Sequence, residues 1–361
     1  MKHSRSTLTP KTMVITHFQF STFNFQFTKG ATCPDLSSLP ESLPEEVSSF
    51  IREWYNDKEY VTGHTSGSTG TPKTIPLLKK DMLASATLTN DFFGITSQST
   101  LLLCLSPRYI AGKMMIVRAL LAEANLLVLP PGGDPLATLD SVVDFAAMVP
   151  LQLEAILSHP GNARKLPMIS QLIIGGAAVT PLLERQVSEQ STACYVTYGM
   201  TETVSHIALR PLNGKQAPYA ALGEVHFETD ERGCLVIYAP HLQQYRFVTN
   251  DIVHLIDTTH FEWLGRYDHV INSGGIKLSP ETIEAKLTDL ISQRFFITGE
   301  ADNRLGEKAV LVIEDGPWRN ERTAELLAQL KELLPPYEVP KAIRFLPALP
   351  MTASGKILRR G

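Results

Sequence analysis

Short apolar runs alternate with stretches of helical character through the middle of this chain. Leu101–Leu105 and Asn125–Leu129 predict buried strands, and Gly112–Ala122 predicts a helix between them. Leu172–Ile174 and Ala193–Thr197 are two more short runs, each followed by a turn that contains glycine. This alternation favours an α/β fold, with a mainly parallel sheet that carries helices on its faces. Because ligands bind such sheets at the carboxyl ends of the strands, the turns after these runs are candidate site positions.

The composition argues against several classes of function. Lys and Arg total 33 against 37 for Asp and Glu, a net charge of −4, and the absence of a dense basic block disfavours a nucleic-acid partner. The four cysteines are scattered without CxxC spacing, which argues against a zinc site or a disulfide framework and suits a reducing compartment. The longest apolar stretch, Met114–Leu129, contains charged and polar residues, so no membrane insertion is predicted. We expect a cytoplasmic enzyme, and no feature of the sequence indicates its oligomeric state.

The chain is long enough for two domains. Toward the C-terminus, Pro280–Leu290 and Glu321–Leu334 predict helices, and Lys308–Ile313 predicts a strand between them. The simplest division is a large N-terminal domain over residues 1–267 and a small α+β domain over residues 268–361.

The segment Thr65–Lys73, Thr-Ser-Gly-Ser-Thr-Gly-Thr-Pro-Lys, alternates hydroxyl residues with glycines. Backbone N–H groups and hydroxyls in such a segment can converge on one anion. A flexible linker has the same composition, and the segment alone leaves both interpretations open. A Walker A loop is disfavoured, because that motif needs lysine directly after its last glycine, whereas Thr71 and Pro72 intervene here.

Five further motifs follow this segment, and the six together resemble, in content and order, those of the adenylate-forming superfamily. That superfamily contains acyl-CoA synthetases, luciferases and peptide-synthetase adenylation domains. One glycine-rich match can arise by chance, whereas six ordered motifs over residues 65–360 are not expected by accident. The five are Gly175–Ala177, Tyr198–Thr203, Thr249–Asp251, Gly265–Asp268 with Ser273–Lys277, and Pro350–Arg360.

The resemblance implies how ATP is bound. Tyr198 offers a flat ring for adenine, Asp251 accepts from the ribose hydroxyls, and Arg266 pairs with phosphate or ribose. In isolation, such residues are more often a core tyrosine, a turn aspartate and a surface arginine. The implied contacts to ATP and to the second cofactor, coenzyme A, are Thr65, Ser66, Gly67, Ser68, Thr69, Gly70, Lys73, Gly175, Gly176, Ala177, Tyr198, Gly199, Asp251, Arg266, Gly274, Gly275 and Lys277.

The resemblance also implies that Lys356, Thr201 and Glu202 carry the chemistry. Attack of a carboxylate on the α-phosphate of ATP develops negative charge, which the Lys356 cation would stabilise more in the transition state than in the reactants. Glu202 supplies a carboxylate for Mg²⁺, which takes few protein ligands, and Thr201 can hydrogen-bond the carboxylate being activated. Outside their motifs, such a lysine and such a glutamate are ordinarily solvated charges.

Asp268 matches the hinge position of the superfamily, whose C-terminal domain rotates between an adenylating and a thioester-forming pose. Gly274 and Gly275 would then lie along the path of the coenzyme A thiol arm, where backbone must approach closely. One departure precedes the ribose-binding aspartate. The superfamily usually has glycine where Asn250 stands, and Asn tolerates unusual backbone angles better than most residues.

The resemblance implies a small-molecule carboxylic acid as substrate, and the compact chain resembles the subgroup of 2-succinylbenzoate–CoA ligases of menaquinone synthesis. The phosphate segment arrives early, which predicts a shortened N-terminal subdomain. An acid with two carboxylates favours a cationic anchor, and Arg108, Lys113 and Arg118 are the candidates, beside Gly199 and Thr201. The histidine usual in the pocket motif of the superfamily is missing here, so each cation can also be a surface charge.

Two alternatives stay open. One keeps the chemistry and changes the acid or acceptor, as in an aryl- or fatty acid–CoA ligase or an enzyme that loads a carrier protein. The other is a non-catalytic adenylate-binding protein, which the joint presence of Lys73, Glu202, Asp251, Arg266 and Lys356 disfavours.

Overall fold

The computed structural model describes residues 23–26, 39, 43–64, 74–213, 217–351 and 357–359. The predicted phosphate segment Thr65–Lys73 and the predicted catalytic Lys356 lie outside the described residues.

Helices and strands alternate over the first half of the described chain, and antiparallel strands dominate after it. The helices are α1 (Glu45–Trp54), α2 (Lys79–Phe93), α3 (Ile110–Ala122), α4 (Pro150–Ser158), α5 (Pro160–Ala163), α6 (Pro181–Ser188), α7 (Pro280–Leu287) and α8 (Asn320–Leu333). The strands are β1 (Phe23–Gln26), β2 (Tyr60–His64), β3 (Thr74–Leu78), β4 (Thr100–Leu103), β5 (Asn125–Val128), β6 (Val143–Met148), β7 (Ile169–Ile174), β8 (Ala193–Gly199), β9 (His206–Pro211), β10 (Tyr219–Ala221), β11 (His226–Thr229), β12 (Cys234–Tyr238), β13 (Arg246–Asp257), β14 (His260–Arg266), β15 (Ile271–Ser273), β16 (Ile276–Leu278), β17 (Phe295–Asp302), β18 (Gly306–Glu314) and β19 (Ala342–Leu346).

The largest sheet in the described part of the chain has 12 strands in the order β1-β5-β4-β6-β7-β8-β9-β10-β14-β13-β12-β11. Strands β5, β4, β6, β7 and β8 are parallel, which confirms the α/β architecture that the alternating pattern predicts. From β8 onward the pairings are antiparallel, because short turns rather than helices connect those strands.

Helices cover both faces of the parallel half. Leu101 and Leu103 of β4 pack into a core with α2 and α3, whereas Leu102 between them packs with α4 and α6 on the opposite face. Successive side chains of a strand point to opposite faces, so a strand covered on both faces is apolar throughout. The Leu-rich run of β4 therefore follows from its central place in the sheet.

A second, smaller α+β unit follows β14. Its sheet has the order β16-β15-β18-β17, with β19 parallel to β18, and α7 and α8 contribute to its own apolar core. Hydroxyls of Ser279 and Thr282 donate to the carbonyl oxygen of Leu264, and Arg185 pairs with Asp289 at 2.5 Å. These contacts connect the second unit to the first, while the division at residue 268 stays a prediction.

None of the helices within the described ranges has both the length and the apolar character needed to cross a bilayer.

Candidate functional site

The predicted site motifs gather at the carboxyl edge of the parallel strands. Ser106 and its neighbours follow β4, Gly175–Ala177 follow β7, and the loop over residues 200–205 follows β8. Parallel strands place these segments on one side of the sheet, as the sequence pattern predicts.

Gly199 brings two backbone segments into close approach. A Cβ at Gly199 would stand 2.3 Å from the carbonyl oxygen of Ser205 and 2.7 Å from Cα of His206, so only glycine fits there. Thr203 closes the loop, because its hydroxyl contacts the backbone of Met200 and donates to the Ser205 carbonyl at 2.8 Å. The sequence pattern alone does not indicate this role for Thr203.

The two predicted catalytic residues in the loop over residues 200–205 differ in their exposure to solvent. Thr201 is half-buried and Glu202 is exposed. An exposed carboxylate beside a backbone turn is available to a bound cation, and a half-buried hydroxyl is available to a group lying over the loop. Their assignments to substrate and Mg²⁺ stay predictions.

The loop after β7 packs tightly against β8. The Gly175 amide donates to the carbonyl of Met148 at 3.1 Å, and a Cβ at Gly175 would stand 2.3 Å from Oγ1 of Thr197. Thr197 in turn donates to the carbonyl of Ile174. The absence of a side chain at Gly175 therefore permits this packing, next to Gly176 and Ala177.

Asp251 is the centre of a hydrogen-bonded group. It accepts from the Tyr198 hydroxyl at 2.7 Å, from Trp263 Nε1 at 3.2 Å and from Arg266 Nη1 at 3.4 Å. Burial, and then the Asp251 carboxylate, raise the pKa of Tyr198 well above its ordinary value, so the phenol stays a donor. The ring of Tyr198 meets Phe261 edge-on at 5.0 Å between centroids. The structure thus brings three sequence-predicted residues together and adds Trp263, which the sequence analysis did not identify.

Asp268, the predicted hinge residue, accepts hydrogen bonds from two residues of the large sheet. Arg266 lies directly across from Asp251 in the β13–β14 register, and its other nitrogen donates to Asp268 Oδ2 at 2.7 Å. Asn250 donates to Asp268 Oδ1 at 2.9 Å and accepts from Arg232 Nη1 at 2.9 Å. A continuous chain of hydrogen bonds therefore links Asp251 to the hinge position.

Gly274 and Gly275 form the two-residue turn of the β15–β16 hairpin. Ser273 pairs with Ile276, and the two glycines have φ angles of +62° and +83°. Positive φ at both central positions is the requirement of a type I′ turn, which accounts for two consecutive glycines. Lys277 is exposed on β16, and the predicted contacts of these three residues with coenzyme A stay predictions.

The two ends of segment 352–356, which contains Lys356, are held by described residues. Met351 and Ile357 form an antiparallel bridge, and the Leu358 amide donates to the Pro350 carbonyl at 2.8 Å. Arg359 lies next to them. Its guanidinium pairs with Glu284 of α7 through both carboxylate oxygens and donates to the Ile297 carbonyl.

Two of the three candidate acid-binding cations pair with α1. Arg108 contacts Glu46 at 2.6 Å, and Lys113 lies 3.6 Å from Glu53 and over the ring of Phe50. Burial lowers the pKa of Lys113, and the Glu53 carboxylate opposes that shift. Both cations already have a carboxylate of this chain as partner.

Arg118 differs from these two. It is 1% exposed, its Nη2 donates to the Ser205 hydroxyl at 2.9 Å, and its Nε is buried without a hydrogen-bond partner among the described residues. Burial lowers its pKa to about 9, so the guanidinium is still charged at neutral pH. A buried cation whose Nε lacks a partner among the described residues favours a nearby anionic group, and the assignment of Arg118 to the acid stays a prediction.

Comparison with known proteins adds independent information. Residues 45–230 match the family model "AMP-binding enzyme", and residues 294–356 match "AMP-binding enzyme C-terminal domain". An acyl-CoA synthetase (AMP-forming)/AMP-acid ligase II-like protein from Dyadobacter fermentans has a similar structure, with 36% identity, a TM-score of 0.62 and coverage of 93% of this chain and 97% of that one. Because that chain is covered almost whole, its length is close to that of this chain.

Other relatives differ in length. A 2-succinylbenzoate–CoA ligase from Bacillus cereus is 27% identical over 88% of this chain and 72% of its own length. The nonribosomal peptide synthetase CymA from Salinispora arenicola is 30% identical over 82% of this chain, which spans only 4% of that protein. The fold also matches an O-succinylbenzoate coenzyme A synthetase from Bacillus subtilis, in complex with ATP and magnesium ion, with a TM-score of 0.68, 23% identity and coverage of 82% and 68%.

Proposed function

Because this chain belongs to the AMP-binding enzyme family of the adenylate-forming superfamily, we propose that it is an ATP- and Mg²⁺-dependent acid–CoA ligase. Its substrate would be an acid with a second carboxylate, of which 2-succinylbenzoate is the first candidate. The single observation that carries the choice of acid is the buried, incompletely bonded guanidinium of Arg118.

The residues present fit a nucleotide. Asp251 offers carboxylate oxygens of the kind that accept from ribose hydroxyls, and Tyr198 and Arg266 fix that carboxylate from two sides. Gly175 and Gly199 leave no side chain at the edge where the strands end. Glu202 is the exposed carboxylate that would meet Mg²⁺, which neutralises phosphate charge when bound. The Bacillus subtilis relative, of similar fold, binds ATP and magnesium ion.

The chemistry follows from the groups assigned to the site. A carboxylate oxygen of the acid forms a bond to the α-phosphorus of ATP as the bond to pyrophosphate breaks. Lys356 would stabilise the developing charge, and Thr201 would orient the carboxylate by a hydrogen bond. The thiolate sulfur of coenzyme A then bonds to the acyl carbon, and AMP leaves with the electron pair of the broken C–O bond.

Arg118 favours a second carboxylate for an electrostatic reason. A buried charge is stabilised when an ion of opposite sign completes its hydrogen bonds, and Nε and Nη of arginine match a carboxylate in two-point geometry. Arg108 and Lys113 have carboxylates of α1 as partners already. Among the three candidate cations, Arg118 is therefore the proposed anchor of the second carboxylate.

We further propose that residues 268–361 act as a lid that pivots at Asp268. The bonds from Asn250 and Arg266 hold that residue in one orientation, and α7 carries the anchor of the segment that contains Lys356. Rotation at the hinge would move Met351 and Ile357, which flank this segment, together with α7.

The first experiment measures acid-dependent pyrophosphate release from ATP and Mg²⁺, across an acid panel that includes 2-succinylbenzoate, with and without coenzyme A. Release with 2-succinylbenzoate, together with thioester formation, supports the proposal. Release with another acid retains the ligase and removes this substrate, and transfer to a carrier protein alone identifies the carrier-loading alternative. No release with any acid contradicts the enzymatic function.

A second experiment tests the anchor. Arg118→Met keeps the apolar stem and removes the charge, and Arg108→Met is the matched control because its cation pairs with Glu46. We expect Arg118→Met to raise KM for 2-succinylbenzoate about 100-fold, since a charged hydrogen-bonded pair contributes about 1.5–3 kcal/mol. KM for ATP should stay unchanged in both variants. Equal effects of the two substitutions would contradict the assignment of the anchor.

A further inference from the structure

Arg118 is the first member of a hydrogen-bonded chain that crosses the core beside the loop over residues 200–205. Its Nη2 donates to the Ser205 hydroxyl at 2.9 Å, and that hydroxyl lies 3.3 Å from Nδ1 of His206. On the other side of the ring, Nε2 of His206 lies 3.3 Å from the Thr89 hydroxyl. The chain thereby connects α3, the loop after β8, the start of β9 and α2.

One assignment of protons satisfies every bond in this chain. In this assignment Thr89 donates its one proton to the Ser85 carbonyl at 3.1 Å, and its oxygen accepts from Nε2–H of His206. A neutral histidine with its proton on Nε2 has an acceptor at Nδ1. Ser205 therefore donates to Nδ1, and its oxygen is left to accept from Arg118.

The neutral form of His206 agrees with its surroundings. The ring is buried, and burial together with the Arg118 charge holds its pKa well below the ordinary value. A protonated ring would place a second buried cation beside the guanidinium and would turn Nδ1 into a donor. With Nδ1 as a donor, the Ser205 hydroxyl could no longer donate to it.

We propose that Ser205 and His206 are positioning residues that hold the guanidinium of Arg118 at the acid site and thereby set the preference for acids with a second carboxylate. This inference rests on the proposed function. An arginine side chain has several rotatable bonds, so a fixed partner at one nitrogen restricts where its remaining donors point. His206 takes the proton of Ser205 in this assignment, which leaves the Ser205 oxygen facing the Arg118 guanidinium.

The test compares three acids with the same skeleton. 2-Succinylbenzoate has two carboxylates, whereas 4-oxo-4-phenylbutanoate and 2-butanoylbenzoate each lack one of them. For each variant, KM and kcat are measured with all three acids, and the preference is the ratio of KM for the better monocarboxylate to KM for 2-succinylbenzoate.

The variants are Ser205→Ala, His206→Leu and His206→Asn. The first two remove a link of the chain, while the amide introduced by His206→Asn would retain an acceptor near the position of Nδ1. Thr192→Val is the matched control. Thr192 is buried, lies just before the start of β8 and thus far from Ser205, and its hydroxyl donates to the backbone carbonyl of Leu166. Thermal unfolding of every variant is measured alongside.

We expect Ser205→Ala and His206→Leu to lower the preference about tenfold, the loss of roughly one hydrogen bond to a charged group. The change should appear in KM for 2-succinylbenzoate, with KM for ATP unaltered and His206→Asn within about threefold of the wild type. An unchanged preference in both disruptive variants, or an equal loss in Thr192→Val, overturns the inference alone. A wild-type enzyme without any preference for two carboxylates overturns the proposed acid class, and this inference with it.

Discussion

Asn250 Nδ2 donates a hydrogen bond of 2.9 Å to Oδ1 of Asp268, across the strand pair β13–β14 that leads into the predicted hinge. Arg266 occupies the other carboxylate oxygen of Asp268, and Arg232 bonds the carbonyl oxygen of the Asn250 amide. Asn250, which departs from the usual motif of the superfamily, is therefore one of two residues that connect the hinge aspartate to the large sheet, and Arg266 is the other. A glycine there would leave Oδ1 of Asp268 without this donor.

Replacing Asn250 by glycine should loosen the hinge without unfolding the protein. We expect faster hydrogen exchange at the backbone amides of residues 267–271, because one hydrogen bond of about 1 kcal/mol is lost. Hydrogen exchange followed by mass spectrometry checks this, with Asn56→Gly in the exposed turn after α1 as the matched control. Identical exchange of both variants at 267–271 would show that the Asn250 amide does not restrain the hinge.

Replacing Asp251 by asparagine should weaken nucleotide binding. Tyr198, Trp263 and Arg266 all donate to this carboxylate, and an amide nitrogen in place of one oxygen faces a donor rather than an acceptor. We expect KM for ATP to rise about 10- to 100-fold, with a smaller change in kcat. Steady-state kinetics at saturating acid measure this effect.

Asp257→Asn is the control for that experiment, because Asp257 lies at the exposed end of the same strand and bonds only its neighbours Thr259 and His260 among the described residues. If both substitutions leave KM for ATP unchanged, Asp251 does not hold the ribose.

Sequence patterns located the parallel strands and the site motifs because both are local. The helix predicted over Gly112–Ala122 begins two residues earlier, at Ile110, and the motif residues lie where their strands end. Trp263 and Arg232 were missed because their partners come from strand register rather than from spacing along the chain. The register of a β-sheet depends on long-range packing that a single sequence does not display.

The three candidate cations illustrate the same limit of local reasoning. The sequence alone does not distinguish Arg108, Lys113 and Arg118 as candidates for binding the acid. Their different pairing arises from contacts with α1. That helix supplies Glu46 and Glu53 to the first two and no carboxylate to the third. The folded chain shows that Nε of Arg118 has no hydrogen-bond partner within the described part of the chain.

The stability of the wild-type protein should fall at mildly acidic pH because of His206. Burial and Arg118 hold the pKa of this group well below its unfolded value of about 6.5, so the unfolded state binds more protons below that pH. The stabilising contribution is fully present above pH 6.5 and is lost as the pH falls toward the folded pKa. The slope is at most about 1.4 kcal/mol for each pH unit.

Urea unfolding between pH 7.5 and 5.5 measures this contribution, with His206→Asn as the comparison because Asn does not titrate. We expect the wild type to lose more stability than the variant over this range. Parallel curves for the two proteins would contradict a neutral buried histidine at this position.

Arg359 should govern adenylation through the segment that contains Lys356. Its guanidinium pairs with both oxygens of Glu284 and lies 3.7 Å from Glu281, which also bonds His269 beside the hinge. Arg359→Lys keeps the charge but loses the two-point geometry, so the ends of the segment would be held less firmly. We expect the rate of pyrophosphate release to fall tenfold or more, roughly the effect of misplacing a catalytic group by about 1 Å.

The matched control is Arg344→Lys, because Arg344 forms an exposed pair with Glu300 on the same small sheet. Thioester formation from added acyl-adenylate separates the two half-reactions, and it should change less than adenylation in Arg359→Lys. An equal loss in both half-reactions, with a lowered unfolding temperature, would instead assign Arg359 a purely structural role. Loss of adenylation alone, at unchanged unfolding temperature, identifies Arg359 as a positioning residue for the lysine.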